Sequence, residues 1–157
     1  MPMCRMPIPV EISRMPCAYK ILEDKYVVAK KYFGRVTTKC VLNLIDAIEE
    51  DPKFREGMME FDDLCDVVNL DISATDISHF ADLMTGFSLR KRSPTRKAVY
   101  APHGAGRAAA FGFQKLVEGF ETLEVGVFAT MHEAIDFLRV DDASEFRALD
   151  SADFQIN

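Results

Sequence analysis

The feature that most constrains the fold is the way the apolar residues change period along the chain. In the stretch 26–33, Val27, Ala29 and Phe33 fall on one face and the intervening residues on the other, which is typical of a strand. From residue 37 onward the apolar spacing becomes i, i+3, i+4 and i+7, which is typical of a helix buried on one face. The two periods then alternate along the chain, so each change predicts a new element.

This alternation predicts five strands and four helices in the order β-β-α-β-α-β-α-β-α. The predicted strands span 17–23, 26–33, 58–64, 97–101 and 123–129, and the first two form a hairpin. The helical stripes run over 41–48, 77–84, 109–120 and 131–138. Strands that alternate with helices become parallel neighbours through right-handed crossovers. The expected fold class is therefore α/β, with a mixed sheet of about five strands covered by four helices.

Capping residues mark where three of these helices begin. Thr37 or Thr38 precedes the first stripe, while Ser73 with Asp76 and Thr130 with Glu133 have the spacing of capping boxes. These side chains can accept hydrogen bonds from the free backbone N–H groups of the first turn.

The two ends of the chain differ from its middle. Prolines at positions 2, 7, 9 and 16 predict an irregular N-terminal arm over 1–16. The alternating elements place one domain over 17–140. Residues 141–157 contain five acids and one arginine, which predicts an acidic surface helix or tail.

Net charge, the length of the apolar runs and cysteine spacing limit the kinds of binding partner and the cellular compartment that we expect. The net charge of −6 disfavours nucleic acid, and no apolar run approaches the ~18 residues of a membrane span. The first sixteen residues hold no apolar stretch long enough for a signal peptide. The four cysteines have no CxxC or metal-like spacing, so we expect reduced, mostly buried thiols and a cytoplasmic protein.

Four short patterns occur in an order and spacing that resemble the SpoIIAA-like proteins, relatives of the STAS domains of anti-sigma-factor antagonists. The resemblance covers roughly residues 17–140. The patterns are Gly34 to Thr37 before the first helix, Phe61 to Cys65 in the third strand, Lys97 to Ala101 in the fourth, and Val127 to Leu138 at the end.

The resemblance implies a SpoIIAA-like fold and a small module that binds a protein partner without a cofactor. We therefore expect a non-enzymatic regulatory or scaffold module that acts as part of a homodimer. Some relatives resemble lipid-carrying domains of the CRAL-TRIO type, so the alternative is a small apolar or lipid-like ligand. This sequence departs from the family pattern at Cys65, where Ser or Thr is usual, and over 71–75, which lacks the glycine of the phosphorylated D-S-S-G segment.

Ligands of open α/β sheets bind at the carboxyl ends of the strands. There the turn at His103, Gly104, Gly106 and Arg107, with Asp63 from the neighbouring strand, is a candidate ligand or anion site. The alternatives are that the glycines only make a tight turn, or that Arg107 braces the strand ends through Asp63.

At the same edge, Ser73 and Thr75 are a candidate phospho-switch, since a phosphate is favoured at a helix N-terminus; the alternative is that they only cap the helix. The third hypothesis is an enzyme that uses a thiolate–imidazole pair of Cys65 and His103. The sequence supplies no third group to orient this pair. His79 and His132 are predicted to be packing or surface residues.

A basic run over 90–97 contains five Lys or Arg residues and the pair Ser93-Pro94. The run could contact phosphate groups or present Ser93 to a kinase. With no aromatic residues between the charges it is predicted to be a solvated connection rather than a nucleic-acid surface.

Overall fold

The structure is a computed structural model that describes residues 16–91, 95–140 and 155–156. A six-stranded mixed sheet lies at its centre. The strands are β1 (Cys17–Leu22), β2 (Val27–Thr37), β3 (Met59–Asp71), β4 (Thr95–Tyr100), β5 (Leu123–Phe128) and β6 (Gln155–Ile156). The helices are α1 (Thr38–Glu50), α2 (Ala74–Lys91), α3 (Gly104–Val117) and α4 (Met131–Phe137). The predicted α/β class, mixed sheet and four helices are confirmed.

The strands are ordered β5-β4-β3-β2-β1-β6 across the sheet. β2, β3, β4 and β5 are parallel neighbours, as the strand–helix alternation predicts. β1 pairs with β2 in an antiparallel hairpin through a short 3₁₀ turn at Glu23–Lys25. The carboxyl ends of β2 to β5 therefore share one edge of the sheet.

The helices form two unequal layers. Leu44 and Ile48 of α1 pack against Val28 and Tyr32 of β2, and Ala110 of α3 packs against Val99 of β4 on the same face. On the opposite face, α4 and Leu138, the residue after it, pack against alternate positions of the same strands. The members of this cluster include Ala134, Ile135, Leu138, Ala29, Phe33, Phe61, Ala98 and Tyr100. Alternating side chains along each strand thus supply two separate cores.

The predicted caps of three helices are present. The Thr37 hydroxyl accepts a hydrogen bond from the Cys40 amide at 3.3 Å, and the Thr130 hydroxyl accepts one from Glu133 at 3.2 Å. Ser73 and Asp76 form the reciprocal box, with each backbone N–H donating to the other side chain.

Two strands are longer than the periodicity predicts. The second predicted strand ends at residue 33, but β2 continues through Gly34, which has a φ of +53° and lies where the register with β3 shifts. Glycine adopts this backbone conformation without steric cost, so the irregularity continues the strand rather than ending it. Beyond it, Arg35 to Thr37 pair with Asn69 to Asp71.

The prediction that residues 90–97 form a solvated connection is wrong for its described ends. α2 continues through Arg90 and Lys91, and Thr95 begins β4. Lys97 is buried in the sheet. The positions Ser93 and Pro94 lie outside the described residues.

The end of the chain joins the sheet. Gln155 and Ile156 pair antiparallel with Tyr19 and Ala18, forming a short outer strand that the sequence did not predict. The arm at 1–16, apart from Pro16, and most of the predicted acidic segment lie outside the described residues. None of the helices among the described residues has the length and apolar character to cross a membrane.

Candidate functional site

Four charged side chains lie on the face of the sheet that α1, α2 and α3 cover. They are Lys30 of β2, Glu60 and Asp62 of β3, and Lys97 of β4, and we call them the charge quartet. The parallel register places Lys30 beside Asp62 and Glu60 beside Lys97. Because Glu60 and Asp62 are two residues apart, both carboxylates point to the same face.

Each lysine of the quartet bridges both carboxylates. The Lys30 Nζ lies 2.7 Å from Oε1 of Glu60 and 3.2 Å from Oδ1 of Asp62. The Lys97 Nζ lies 2.9 Å from Oδ2 of Asp62 and 3.6 Å from Oε2 of Glu60. The four charges therefore form a closed, neutral set, as buried charges require.

The quartet shifts the pKa values of two of its members, Lys30 and Glu60, in favour of their charged forms. Burial opposes the charge on Lys30, but the carboxylates of Asp62 and Glu60 outweigh it and hold the lysine pKa well above its ordinary value. Burial likewise opposes ionisation of Glu60, yet Lys30 and Lys97 lower its pKa to about 2. Burial, with the nearby Asp62 carboxylate, raises the pKa of Tyr32 well above its ordinary value.

A cavity of about 120 Å³ lies between this face of the sheet and the three helices. Lys30, Tyr32, Asp62 and Lys97 form its polar part. Its remaining lining is apolar and comes from the sheet and all three helices: Val36, Val41, Ile45, Leu64, Leu70, Ile72, Ile77, Phe80, Val99, Ala109, Ala110 and Phe113. An apolar cavity with a few convergent polar groups is the usual form of a small-molecule site.

This site was not among the predicted ones, although the sequence contains a signal for it. Lys30 interrupts the apolar strand at 27–33, and Glu60 and Asp62 interrupt the next strand at positions that share a face. Charged residues are rarely fully buried unless they are paired. Which charges pair depends on strand order, and the sequence leaves that order open.

Three residues of the turn predicted to bind an anion, Gly104, Gly106 and Arg107, have structural roles of their own, and His103 lies at the N-cap of α3. Gly104 has a φ of +67°, and a Cβ on Gly106 would lie 3.3 Å from the Cβ of Leu64. Gly104 therefore makes the turn, and Gly106 lets α3 approach β3 closely. Arg107 donates a hydrogen bond to the Ala101 carbonyl at 3.1 Å, and its guanidinium lies 5.0 Å from the centre of the Phe111 ring.

Asp63 lies level with Tyr100, the last residue of β4, as expected for the carboxyl edge. It is buried, however, and points to the face covered by α4, whereas α3 and Arg107 lie on the other face. Its carboxylate lies 3.5 Å from Lys31 Nζ and accepts a hydrogen bond from the Cys65 amide at 2.9 Å. The acid thus has its own partners on the far side of the sheet.

The two candidate phospho-switch residues lie at the start of α2, where the sequence placed them. The Ser73 hydroxyl accepts a hydrogen bond from the Asp76 amide at 3.1 Å. The Asp76 carboxylate in turn accepts one from the Thr38 hydroxyl at 2.8 Å, which ties α2 to the start of α1. Hydrogen bonds from Thr38 and Ser73 lower the pKa of Asp76, and Thr75 is exposed one residue into the helix.

The cysteines differ in oxidation state. Cys17 and Cys40 are free thiols, whereas Cys65 is disulfide-bonded. The expectation of four reduced thiols is therefore wrong for Cys65, and this residue has no free thiolate to pair with His103. The cytoplasmic location, which was inferred from reduced thiols, stays a prediction. Within the described residues, no three His, Cys, Asp or Glu side chains are grouped to hold a metal ion.

Among solved structures, the chain is similar to an uncharacterized protein of the DUF3478 family from Shewanella loihica PV-4, which is described as having a SpoIIAA-like fold. The two are 20% identical with a TM-score of 0.48, over 85% of this chain and 99% of that one. No protein-family model and no curated protein matches the sequence.

Proposed function

We propose that this chain is a non-catalytic module that binds a small, largely apolar molecule between its sheet and its helices. The observation that carries the proposal is the cavity above the charge quartet. An engineered cavity of about 150 Å³ lined by Leu, Ile and Phe in another protein binds benzene. The cavity here, at about 120 Å³, is suited to a ligand of similar size.

The charge states in the quartet support binding rather than proton-transfer chemistry. A general acid or base works best when its pKa lies near the working pH. The pKa of Lys30 is well above its ordinary value and that of Glu60 is about 2, so neither exchanges a proton near neutrality. Such groups can hold and orient a ligand without reacting with it.

A matched pair of variants on α3 tests the proposal with toluene as the probe. Ala109 lines the cavity, whereas Ala108 is exposed and is not part of the lining. Ala109→Leu should fill the cavity and weaken toluene binding at least tenfold in an NMR titration. Ala108→Leu changes the same helix by the same side chain and should bind as the wild type does.

Two outcomes would contradict the proposal. One is a wild-type protein whose amide signals do not move with toluene at its solubility limit. The other is equal binding by both leucine variants, because the probe would then occupy another surface.

A second candidate function is the regulatory module that binds a protein partner, or a second copy of itself, in the cytoplasm. The observation that favours it is the pair Leu116, in the last turn of α3, and Phe120, three residues beyond the helix, which are 47% and 41% exposed. Replacing both with serine should lower the mass measured by sedimentation if they join two copies. Unchanged mass would show that these two side chains do not join two copies.

A further inference from the structure

We propose that the ligand of this cavity is a neutral molecule with a hydroxyl group, an alcohol or a phenol, whose hydroxyl bonds to Asp62 at the charge quartet. The inference rests on the proposed function and adds the chemistry of the ligand's polar end. It follows from one acceptor that the fold leaves unsatisfied and from the balance of charge around it.

The unsatisfied acceptor is Oδ1 of Asp62. Asp62 lines the cavity and is 5% exposed, and among the described residues its Oδ1 is buried without a hydrogen-bond partner. The Lys30 ammonium lies 3.2 Å away as an ion pair but does not complete a hydrogen bond to it. A buried acceptor without a donor costs free energy, so a ligand that brings a donor gains from supplying it.

Asp62 lines the cavity, so its carboxylate is close to any ligand there. The last torsion of an aspartate side chain has a broad energy minimum, so the carboxylate can rotate to meet a donor that the ligand brings. Oδ2 can keep its contact with Lys97, which starts at 2.9 Å.

The charge balance of the quartet selects a neutral ligand. Two ammonium groups already pair with two carboxylates, so no charge is left over to hold an ion. An anionic ligand would meet Asp62, and a cationic one would meet Lys30 and Lys97. Either ion would also lose its hydration on entering an apolar cavity.

A hydroxyl group on the ligand can bond both to a hydrogen-bond acceptor and to a hydrogen-bond donor of the cavity. It donates one hydrogen bond to the carboxylate of Asp62 and can accept one from a donor nearby. Tyr32 provides such a donor, because it lines the cavity and a tyrosine hydroxyl is protonated at neutral pH. The apolar body of the ligand then lies against residues such as Val99 and Phe113.

The experiment compares four probes of similar size with the full chain at neutral pH: toluene, phenol, benzoate and benzylamine. Phenol should bind about tenfold to a hundredfold more tightly than toluene, the range for a hydrogen bond to a charged group. Benzoate and benzylamine should bind more weakly than toluene. If toluene binds and phenol does not bind more tightly, the ligand class is wrong while the proposed function stands; if no probe binds, the proposed function itself fails.

Asp62→Asn makes the test specific to the carboxylate. This variant leaves the quartet with an excess positive charge, so the preference for phenol over toluene should fall and benzoate should become the tightest of the four probes. Asp66→Asn is the matched control, because Asp66 pairs with Lys31 at 3.2 Å outside the cavity lining. An unchanged probe order in Asp62→Asn would overturn the inference, and the wild-type comparison decides it even if that variant does not fold.

Discussion

At the scale of single residues, the buried charges on the two faces of β2 and β3 form separate sets. Lys30 belongs to the quartet beneath the cavity, while its neighbour Lys31 pairs with Asp63 and Asp66 on the face of α4. Adjacent lysines in a strand point to opposite faces, so each needs its own carboxylates. Removing one partner of such a set leaves a buried charge uncompensated, which typically costs about 3–5 kcal/mol.

The depressed pKa of Glu60 predicts how stability depends on pH. An unfolded Glu60 takes up a proton near its ordinary pKa of 4.5, whereas the folded one does so only near 2. The unfolded state therefore binds more protons in this window, so the free energy of unfolding falls as pH falls through it. Glu60→Gln should lower stability at neutral pH and flatten this decline.

Urea unfolding between pH 6 and pH 3 measures the effect. Glu23→Gln, at an exposed position, is the control and should keep the wild-type slope. Parallel slopes for Glu60→Gln and the wild type would contradict the assignment of a low pKa to Glu60.

A variant of Arg107 distinguishes a structural role of this residue from an anion site at the turn before α3. Its hydrogen bond to the buried Ala101 carbonyl and its contact with Phe111 predict that Arg107→Ala costs about 1–2 kcal/mol. Thermal unfolding measures the cost, and a phosphate titration followed by NMR measures any anion binding. A variant that melts like the wild type but loses phosphate binding would favour the anion site instead.

At the scale of elements, Ser73 caps the start of α2 at a position where a negatively charged side chain is also favourable. Ser73→Ala removes the hydroxyl that caps the Asp76 amide and should cost about 1 kcal/mol. Ser73→Asp should cost little, because aspartate is also a favoured cap and its charge suits the helix N-terminus. Thr75→Asp should leave the melting temperature nearly unchanged.

Urea unfolding of the three variants tests this order. If Ser73→Asp destabilises as much as Ser73→Ala, the site does not tolerate negative charge, and a phosphate at Ser73 would disrupt the helix rather than switch a partner.

At the scale of the whole molecule, the short β6 covers part of the outer edge of β1. A chain that ends at residue 141 loses the pairings of Gln155 and Ile156 with Tyr19 and Ala18. The domain should still unfold cooperatively, because the five longer strands and four helices remain, but its melting temperature should drop by several degrees. Differential scanning calorimetry measures this, with a chain lacking residues 1–15 as the comparison; an unchanged melting temperature would mean that β6 adds nothing to stability.

The sequence by itself determined the elements and their order. Periodicity identified every strand except β6 and all four helices, and local chemistry identified the caps at Thr37, Ser73 and Thr130. These features depend on residues a few positions apart, whose relative placement the backbone geometry of a helix or strand sets.

Only the tertiary structure decided which charges meet. Lys30, Asp62 and Lys97 come from three strands far apart in the chain, and they share one cavity because the strands lie side by side in a particular register. The same strand register directs the Asp63 side chain to the face of the sheet opposite the one that carries Arg107. A shift of one residue in any pairing would exchange the faces, so the site depends on strand order and register, which are fixed only when both cores pack.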